Sequence, residues 1–310
     1  MSKKKWTLDD MPSQEGKIVV ITGGNSGLGF ETAKAFAMKG AEVVIACRAI
    51  DKGNAAKESI LKETPDAKIV VMALDLMSLS SVRSFAENFK QKYSRLDILI
   101  NNAGIMTSPY ALTEDGFESQ MGTNHLGHFA LTGLLLDLIL STPKSRIVNV
   151  SSLAHKQWKM SFENSLSEYA HNYNKMRAYS RSKLANLLFT YELQRRLEAA
   201  NHDCIAVAAH PGASYTNLGR HLEHKLIARI LKPLIIKVLP TPKSGAMPQI
   251  RAASDTAVKG GEYYGPAGLG ELAGKPVKVK SAKTSYNLED AKRLWEMSEE
   301  LTGVVMSPES

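Results

Sequence analysis

Short runs of apolar, mostly β-branched residues recur along the chain, separated by longer segments with a helical rhythm of apolar positions. Ile18–Val19–Val20–Ile21 is the first run, followed by a glycine-rich turn and a helical stretch reaching about Lys39. Val43–Val44–Ile45–Ala46, Ile69–Val70–Val71–Met72, Leu96–Ile100, Ile147–Val150 and Ile205–Ala209 follow, each after a helix-length segment. A strand that is apolar at every position is buried on both faces, so this alternation predicts a parallel sheet covered by helices on both sides. The expectation is an α/β fold: a single-domain, Rossmann-type doubly wound parallel sheet with right-handed crossovers. Ligands of such a sheet sit beyond the carboxyl ends of its strands.

Residues 1–16 read as an N-terminal extension, 17–290 as the Rossmann domain and 291–310 as a C-terminal helix and tail. Thr113, with Glu114 and Asp115 behind it, suits a helix start, and that segment is expected to reach Ser141 before Pro143 stops it.

Composition narrows the class. With 310 residues, 44% hydrophobic and 23% charged, the chain is an ordinary soluble one able to bury one large core. A formal net charge of +8 favours phosphate-bearing ligands or anionic surfaces, although most of these charges read as solvated lysines. No basic block is interleaved with aromatics, so no nucleic-acid partner is expected. Cys47 and Cys204 lie among apolar residues and read as small buried hydrophobes, which fits a reducing, cytoplasmic setting. Lys3, Lys4 and Lys5 are followed by Trp6, Asp9, Asp10 and Glu15 rather than by an apolar core, which excludes an ordinary secretory signal. No uninterrupted apolar run approaches the roughly eighteen residues of a membrane span.

The first candidate chemistry lies in Thr22–Gly23–Gly24–Asn25–Ser26–Gly27–Leu28–Gly29, between the first strand and the first helix. Gly23, Gly27 and Gly29 give the spacing T-G-x-x-x-G-x-G. Glycines let this backbone turn sharply and approach a pyrophosphate, whose charge is met by the N–H groups opening the helix. Alone, such a turn can be merely a tight connection; its place directly after an N-terminal strand favours a dinucleotide. It is not a P-loop, because no G-K-[ST] follows. The second strand ends Ala46–Cys47–Arg48–Ala49, without the acid that bonds a ribose 2′-hydroxyl in an NAD site. Arg48 offers a planar fork suited to a 2′-phosphate, so NADP(H) is the expected cofactor and NAD(H) the alternative; a surface arginine near Asp51 is the plainer reading.

The glycine spacing resembles that of the short-chain dehydrogenase/reductase superfamily, and further residues match that family in order. Asp75, in Leu74–Asp75–Leu76, resembles the acid that accepts from the adenine amino group, though it could equally cap a helix in rivalry with Ser78. Asn101–Asn102–Ala103–Gly104 is similar to the motif shaping the wall beside the cofactor. Asn124, Ser152, Tyr179 and Lys183 align with the catalytic tetrad, Tyr179–Ser180–Arg181–Ser182–Lys183 being a Y-x-x-x-K pair. His210–Pro211–Gly212, with Thr216 four residues after the glycine, matches the loop holding the carboxamide end of nicotinamide.

The chemistry accounts for these residue types. Tyr179 and Lys183, four apart, share one face of a helix. An ammonium about 4 Å from the phenol is worth about 4 kcal/mol at an effective dielectric of 20, enough to lower the phenol pKa by up to about 3 before desolvation opposes it. Tyr179 then gives or takes the substrate proton, and Ser152 bonds the substrate oxygen. The resemblance further implies that Lys183 holds the nicotinamide ribose and that Asn124 anchors a water relaying protons. No metal is needed. His125 and His128 are three apart on a helix, as are His221 and His224, but no third ligand or H-E-x-x-H pattern accompanies either pair.

Ser152 and Tyr179 are further apart than in most of the family, and the extra segment holds Trp158, Phe162, Tyr169 and Tyr173. With Ala46–Cys47–Arg48, Asn124–His125–Leu126–Gly127–His128–Phe129 and Tyr179–Ser180–Arg181–Ser182–Lys183–Leu184–Ala185–Asn186, this looks like the retinol dehydrogenase and WW-domain oxidoreductase branch. The resemblance implies hydride transfer between nicotinamide and an alcohol or carbonyl carbon of an apolar substrate: a retinoid, a steroid or a lipid aldehyde. It also implies a homo-oligomer. Two rivals share the fold, a non-catalytic NADP(H)-binding regulator and a C=C reductase akin to the protochlorophyllide reductases; retention of Ser152, Tyr179, Lys183 and Asn124 argues against the regulator. Leu226, Ile227, Ile230, Leu231, Leu234, Ile235, Val238 and Leu239 form an apolar stripe interrupted by Pro233, directly after the nicotinamide loop. A substrate lid around residues 213–240 is the leading reading, with a subunit contact or peripheral contact with a membrane surface as alternatives.

Overall fold

A computed structural model describes residues 6–162, 166, 170–212 and 241–308. Strands β1 (Ile18–Thr22), β2 (Glu42–Cys47), β3 (Lys68–Ala73), β4 (Ile98–Asn101), β5 (Arg146–Val150), β6 (Ile205–Ala209), β7 (Tyr263–Pro266) and β8 (Pro276–Val279) form one sheet. Its order is β3-β2-β1-β4-β5-β6-β7-β8, parallel throughout except for the antiparallel β7–β8 edge. The expected single doubly wound sheet is therefore present, and β7 and β8 extend it beyond the six anticipated strands. The chain reverses its direction of winding between β1 and β4, and there the crevice for a ligand opens.

Alternate side chains divide each strand between two cores. Val20, Val44, Leu99, Ile147 and Ala206 face helices α3 (Leu79–Lys92), α5 (Gly127–Leu134), α7 (Lys175–Ala199) and α9 (Leu288–Thr302). Val19, Ile21, Val43, Ile45, Ile100 and Val148 face α1 (Gly27–Met38), α2 (Ile50–Glu63) and α8 (Pro242–Ser254). Trp6 and Met11, before the first strand, are buried in this second core. Both cysteines are buried and free. Among the described residues no helix is long and apolar enough to cross a membrane.

Thr113 does not begin a helix. Its hydroxyl accepts from the Phe117 N–H at 3.1 Å and closes a turn through Gly116, and Glu118 is the cap, accepting from Gln120 and Met121. The helix then runs as α4 (Ser119–Met121), one π-helical turn at Gly122–Leu126, α5 and α6 (Leu136–Leu140). The competition is physical: an acid two residues ahead of the first free N–H groups satisfies two of them at once, which a threonine hydroxyl cannot.

The Trp295 ring of α9 is sandwiched between Phe129, Phe189 and the Arg196 guanidinium, the last 4.1 Å from its centre. The C-terminal helix thus belongs to the core. Trp295→Ala should lower unfolding stability by about 3–5 kcal/mol, read as a fall in the urea midpoint; a loss below about 1 kcal/mol would show that α9 merely rests on the surface.

Candidate active site

Strands β1 to β6 end at the same edge, and residues that follow them line one cleft of about 870 Å³. That is a size typical of small-molecule and cofactor sites. Gly23, Asn25, Ser26, Gly27, Leu28 and Gly29 come from the turn after β1, Arg48 from the end of β2, and Asp75 and Leu76 from beyond β3. Asn102, Ala103 and Gly104 follow β4, Tyr179 and Lys183 project from α7, and Pro211 follows β6. Gly212 adjoins Pro211; Thr216 and the stretch read as a lid lie outside the described residues, as do His221, His224 and Tyr169.

The turn after β1 suits a phosphate. Gly27 has φ +55°, and a Cβ built on it meets nothing within 4 Å, so the backbone there is bare towards open space. Ser26, at the N-cap of α1, makes no side-chain cap bond, which leaves the opening N–H groups to a ligand. These residues fit a pyrophosphate. At the far wall, Arg48 is 70% exposed and only loosely paired with Asp75 at 3.9 Å. Asp75 does not cap α3; Ser78 does, accepting from Ser81, while Asp75 bonds the Met77 N–H at 2.9 Å. Lys52 also lines the cleft, a cation that was not anticipated although its i,i+4 spacing from Arg48 was visible.

Thr22 organises the centre. Its buried hydroxyl accepts from the Asn102 and Ala103 N–H groups, both at 2.9 Å, and contacts His128 Nε2 at 2.9 Å. His128 Nδ1 lies 3.1 Å from the Asn124 carbonyl, so Nδ1 carries the proton and Nε2 accepts from Thr22. Burial pushes the His128 pKa down to about 3, which keeps the ring neutral. His125 is turned to Ser298, 2.9 Å away. Among the described residues no three His, Cys, Asp or Glu side chains are grouped to hold a metal.

Asn124 sits on the π-helical turn. Its Oδ1 accepts from the Ile105 N–H, and its Nδ2 donates to the Ile105 carbonyl and to Ser182 Oγ, each at 2.9 Å. The side chain clips the backbone after Gly104 against α7. A Cβ at Gly104 would stand 3.0 Å from Asn124 Oδ1 and 3.3 Å from Lys183 Nζ, so the glycine lets the three meet.

Tyr179 and Lys183 are both buried. Lys183 Nζ donates to the Val150 carbonyl at 3.0 Å and lies 5.9 Å from the Tyr179 ring centre. Burial draws the lysine down to about 8. Burial also raises the Tyr179 phenol, opposed by a hydrogen bond from Ser152. The expectation that Lys183 draws the phenol downward is corrected here: the ammonium is anchored on a backbone carbonyl, and desolvation of the phenol prevails. Ser152 caps the short 3₁₀ turn Leu153–Lys156, accepting from the Ala154 N–H at 3.2 Å. Beyond it, Trp158 lies under Arg177, Phe162 under Arg293, and the Tyr173 hydroxyl bonds Gln120 and Glu118.

Comparison with known proteins follows the same outline. The sequence model of the family described as short chain dehydrogenase matches residues 17–226. Retinol dehydrogenase 14 of Mus musculus is 44% identical over 303 residues, covering 94% of this chain and 87% of that protein. Retinol dehydrogenase 13 of Homo sapiens is 40% identical over 294 residues, covering 93% and 85%. A crystal structure of an uncharacterized protein from Mycobacterium Paratuberculosis superposes with a TM-score of 0.80 at 43% identity, covering 97% of this chain and 98% of that one.

The buried lysine makes a pH signature. An unfolded lysine keeps its proton to its ordinary 10.5, whereas the folded one releases it near 8. Between those values the unfolded chain binds more protons, so Lys183 makes stability rise with pH over that window. Lys183→Met has no such proton. Its melting temperature relative to the parent should be highest near pH 7 and fall as pH approaches 10; a difference that does not change with pH would rule out a depressed lysine.

Proposed function

The chain belongs to the short-chain dehydrogenase family, in its retinol dehydrogenase-like branch, and is an oxidoreductase acting on CH–OH donors; from that premise we propose that it moves a hydride between NADP(H) and the carbinol or carbonyl carbon of an apolar substrate. The observation that carries this reading is the meeting of Tyr179 and Lys183 in the cleft that also holds the bare glycine turn, with the Ser152 hydroxyl hydrogen-bonded to Tyr179 just behind its wall. The nicotinamide ring supplies the hydride when bound. The glycine turn takes the pyrophosphate on backbone N–H groups, and Arg48, with Lys52 nearby, takes the 2′-phosphate.

Tyr179 holds its proton firmly because its phenol is raised by burial. The proton is thus present to be given to a carbonyl oxygen as negative charge gathers there, and the charge on that oxygen, not an acidified phenol, drives the transfer. The Ser152 hydroxyl bonds the same oxygen, and Lys183, still charged at neutral pH, supplies positive potential in a space with little water to screen it. Ile105, Met106 and Pro109 line the adjoining wall and give an apolar substrate something to pack against. Retinol, the alcohol in the names of the relatives, belongs to that substrate class.

Tyr179→Phe should lower kcat/KM for a retinal or lipid aldehyde by about 10²–10⁴-fold, while NADPH binding followed by fluorescence stays within about twofold. Turnover close to the parent's would strip Tyr179 of the acid's role. Arg48→Asp should shift the ratio of NADPH to NADH affinity by about tenfold or more towards NADH, measured by titration calorimetry. An unchanged ratio would assign the 2′-phosphate to other residues.

A further inference from the structure

The turn Gly268–Leu272, between β7 and β8, is built against the two loops that carry the reacting ends of the cleft. Glu271 Oε2 lies 2.9 Å from His210 Nε2, and Oε1 lies 3.1 Å from Lys156 Nζ. His210 immediately precedes Pro211–Gly212. Lys156 closes the 3₁₀ turn that Ser152 caps. One carboxylate therefore joins the loop after β6 to the turn after β5, across 61 residues on one side and 115 on the other.

Several features show that the join is constructed. Glu271 adopts φ 59°, a left-handed conformation that a non-glycine residue takes up only when its surroundings hold it there. The His210 side chain has no exposed surface. A Cβ at Gly265 would come within 2.0 Å of His210 Nε2, so β7 leaves room for the ring exactly where it turns to the carboxylate. The Gly212 N–H donates to His210 Nδ1 at 3.2 Å, so that nitrogen is unprotonated and Nε2–H is the donor to Glu271. Gly212 itself packs so tightly on the turn that a Cβ there would stand 2.3 Å from the Leu272 carbonyl oxygen. His155, on the Ser152 turn, is fixed in parallel: Nδ1 bonds the Ser152 carbonyl at 2.6 Å and Nε2 accepts from the Ala282 N–H at 3.0 Å.

We propose that Glu271 is a positioning residue: through His210 it sets the Pro211–Gly212 backbone, and through Lys156 the Ser152 turn, so that the nicotinamide end of the cofactor and the substrate oxygen meet in one geometry. This rests on the cofactor reading given above. The Lys156 pair, half open to water, adds little to stability. Its consequence is geometric, because a carboxylate bonded on both oxygens fixes the relative position of its two partners. Glu271 touches neither substrate nor cofactor, and acts through the His210–Gly212 backbone.

The test compares two ligands on the full chain by titration calorimetry: NADPH, and 2′-phospho-ADP-ribose, which keeps both phosphate sites but lacks nicotinamide. Glu271→Ala should weaken NADPH about tenfold and leave the nicotinamide-free compound within about twofold. Glu271→Gln retains an oxygen for His210 Nε2–H and should recover most of the loss; it also carries the test should the alanine variant not fold, showing a smaller loss confined to NADPH. Equal weakening of both ligands, or an unchanged NADPH affinity in both variants, overturns the proposal. A parent chain that binds neither compound would overturn the cofactor reading and this inference with it.

Discussion

Thr22 ends the first strand with a hydroxyl that has no exposed surface, and the walls of the cleft depend on how that hydroxyl is satisfied. Where β1 and β4 part, the sheet has run out of strand partners, and buried polar groups must find others or cost about 1–3 kcal/mol apiece. Thr22 answers this by accepting two N–H groups from residues 102 and 103 and giving its proton to His128, which passes the order on to the Asn124 carbonyl. The Asn102 side chain returns the bond, donating to the Thr22 carbonyl at 2.8 Å. The glycine turn, the loop after β4 and the π-helical turn are thereby one rigid unit. A cofactor laid on it meets preformed donors.

The dyad on α7 works under a different constraint, that of exclusion from water. Both Tyr179 and Lys183 are pressed towards their neutral forms by burial, one upward and the other downward. Lysine stays charged at neutral pH because its depressed value still lies above 7, and the Val150 carbonyl gives it one fixed acceptor. A phenol that resists ionisation and an ammonium that barely keeps its proton are suited to a reaction in which charge appears on a third group, the substrate oxygen. Their interaction with that charge strengthens in the same low-polarity surroundings that weaken their own ionisation.

Much of this was legible in the sequence, for reasons that also mark its limits. Strands β1, β2, β4, β5 and β6 are buried on both faces and so read as unbroken apolar runs, and the half-buried edge strand β3 reads the same way through Ile69–Met72. Tyr263–Tyr264–Gly265–Pro266 and Pro276–Val277–Lys278–Val279 are four residues each, carry glycine or proline, and lie at or beside the edge, so no periodicity exposes them. The glycine turn, Arg48 and the Tyr179–Lys183 pair were readable from the residues, and Asp75 and the loop after β4 from the family resemblance, because each is local to one strand end or one helix. Burial is not local. Spacing set Lys183 beside Tyr179 but could not reveal that the ammonium would be drawn to Val150 or that the phenol would be so deeply desolvated. The His128–Thr22 bond spans 106 residues, and nothing in either neighbourhood announces it.

The same distinction explains why the work of His125 and His128 does not show in their sequence context. A histidine three residues from another invites a metal reading, yet His125 and His128 are buried apart, each with its own hydroxyl partner. Buried imidazole is neutral, and a neutral imidazole has one donor and one acceptor, which makes it a directional connector between a backbone group on one side and a hydroxyl, a carboxylate or a second backbone group on the other. His128 connects Thr22 to Asn124, His155 connects Ala282 to Ser152, and His210 connects Glu271 to Gly212. Three loops at the carboxyl edge of the sheet are thus tied down by the same device. Because each ring must keep one nitrogen unprotonated to do so, the geometry of the cleft and the neutrality of its histidines are a single requirement.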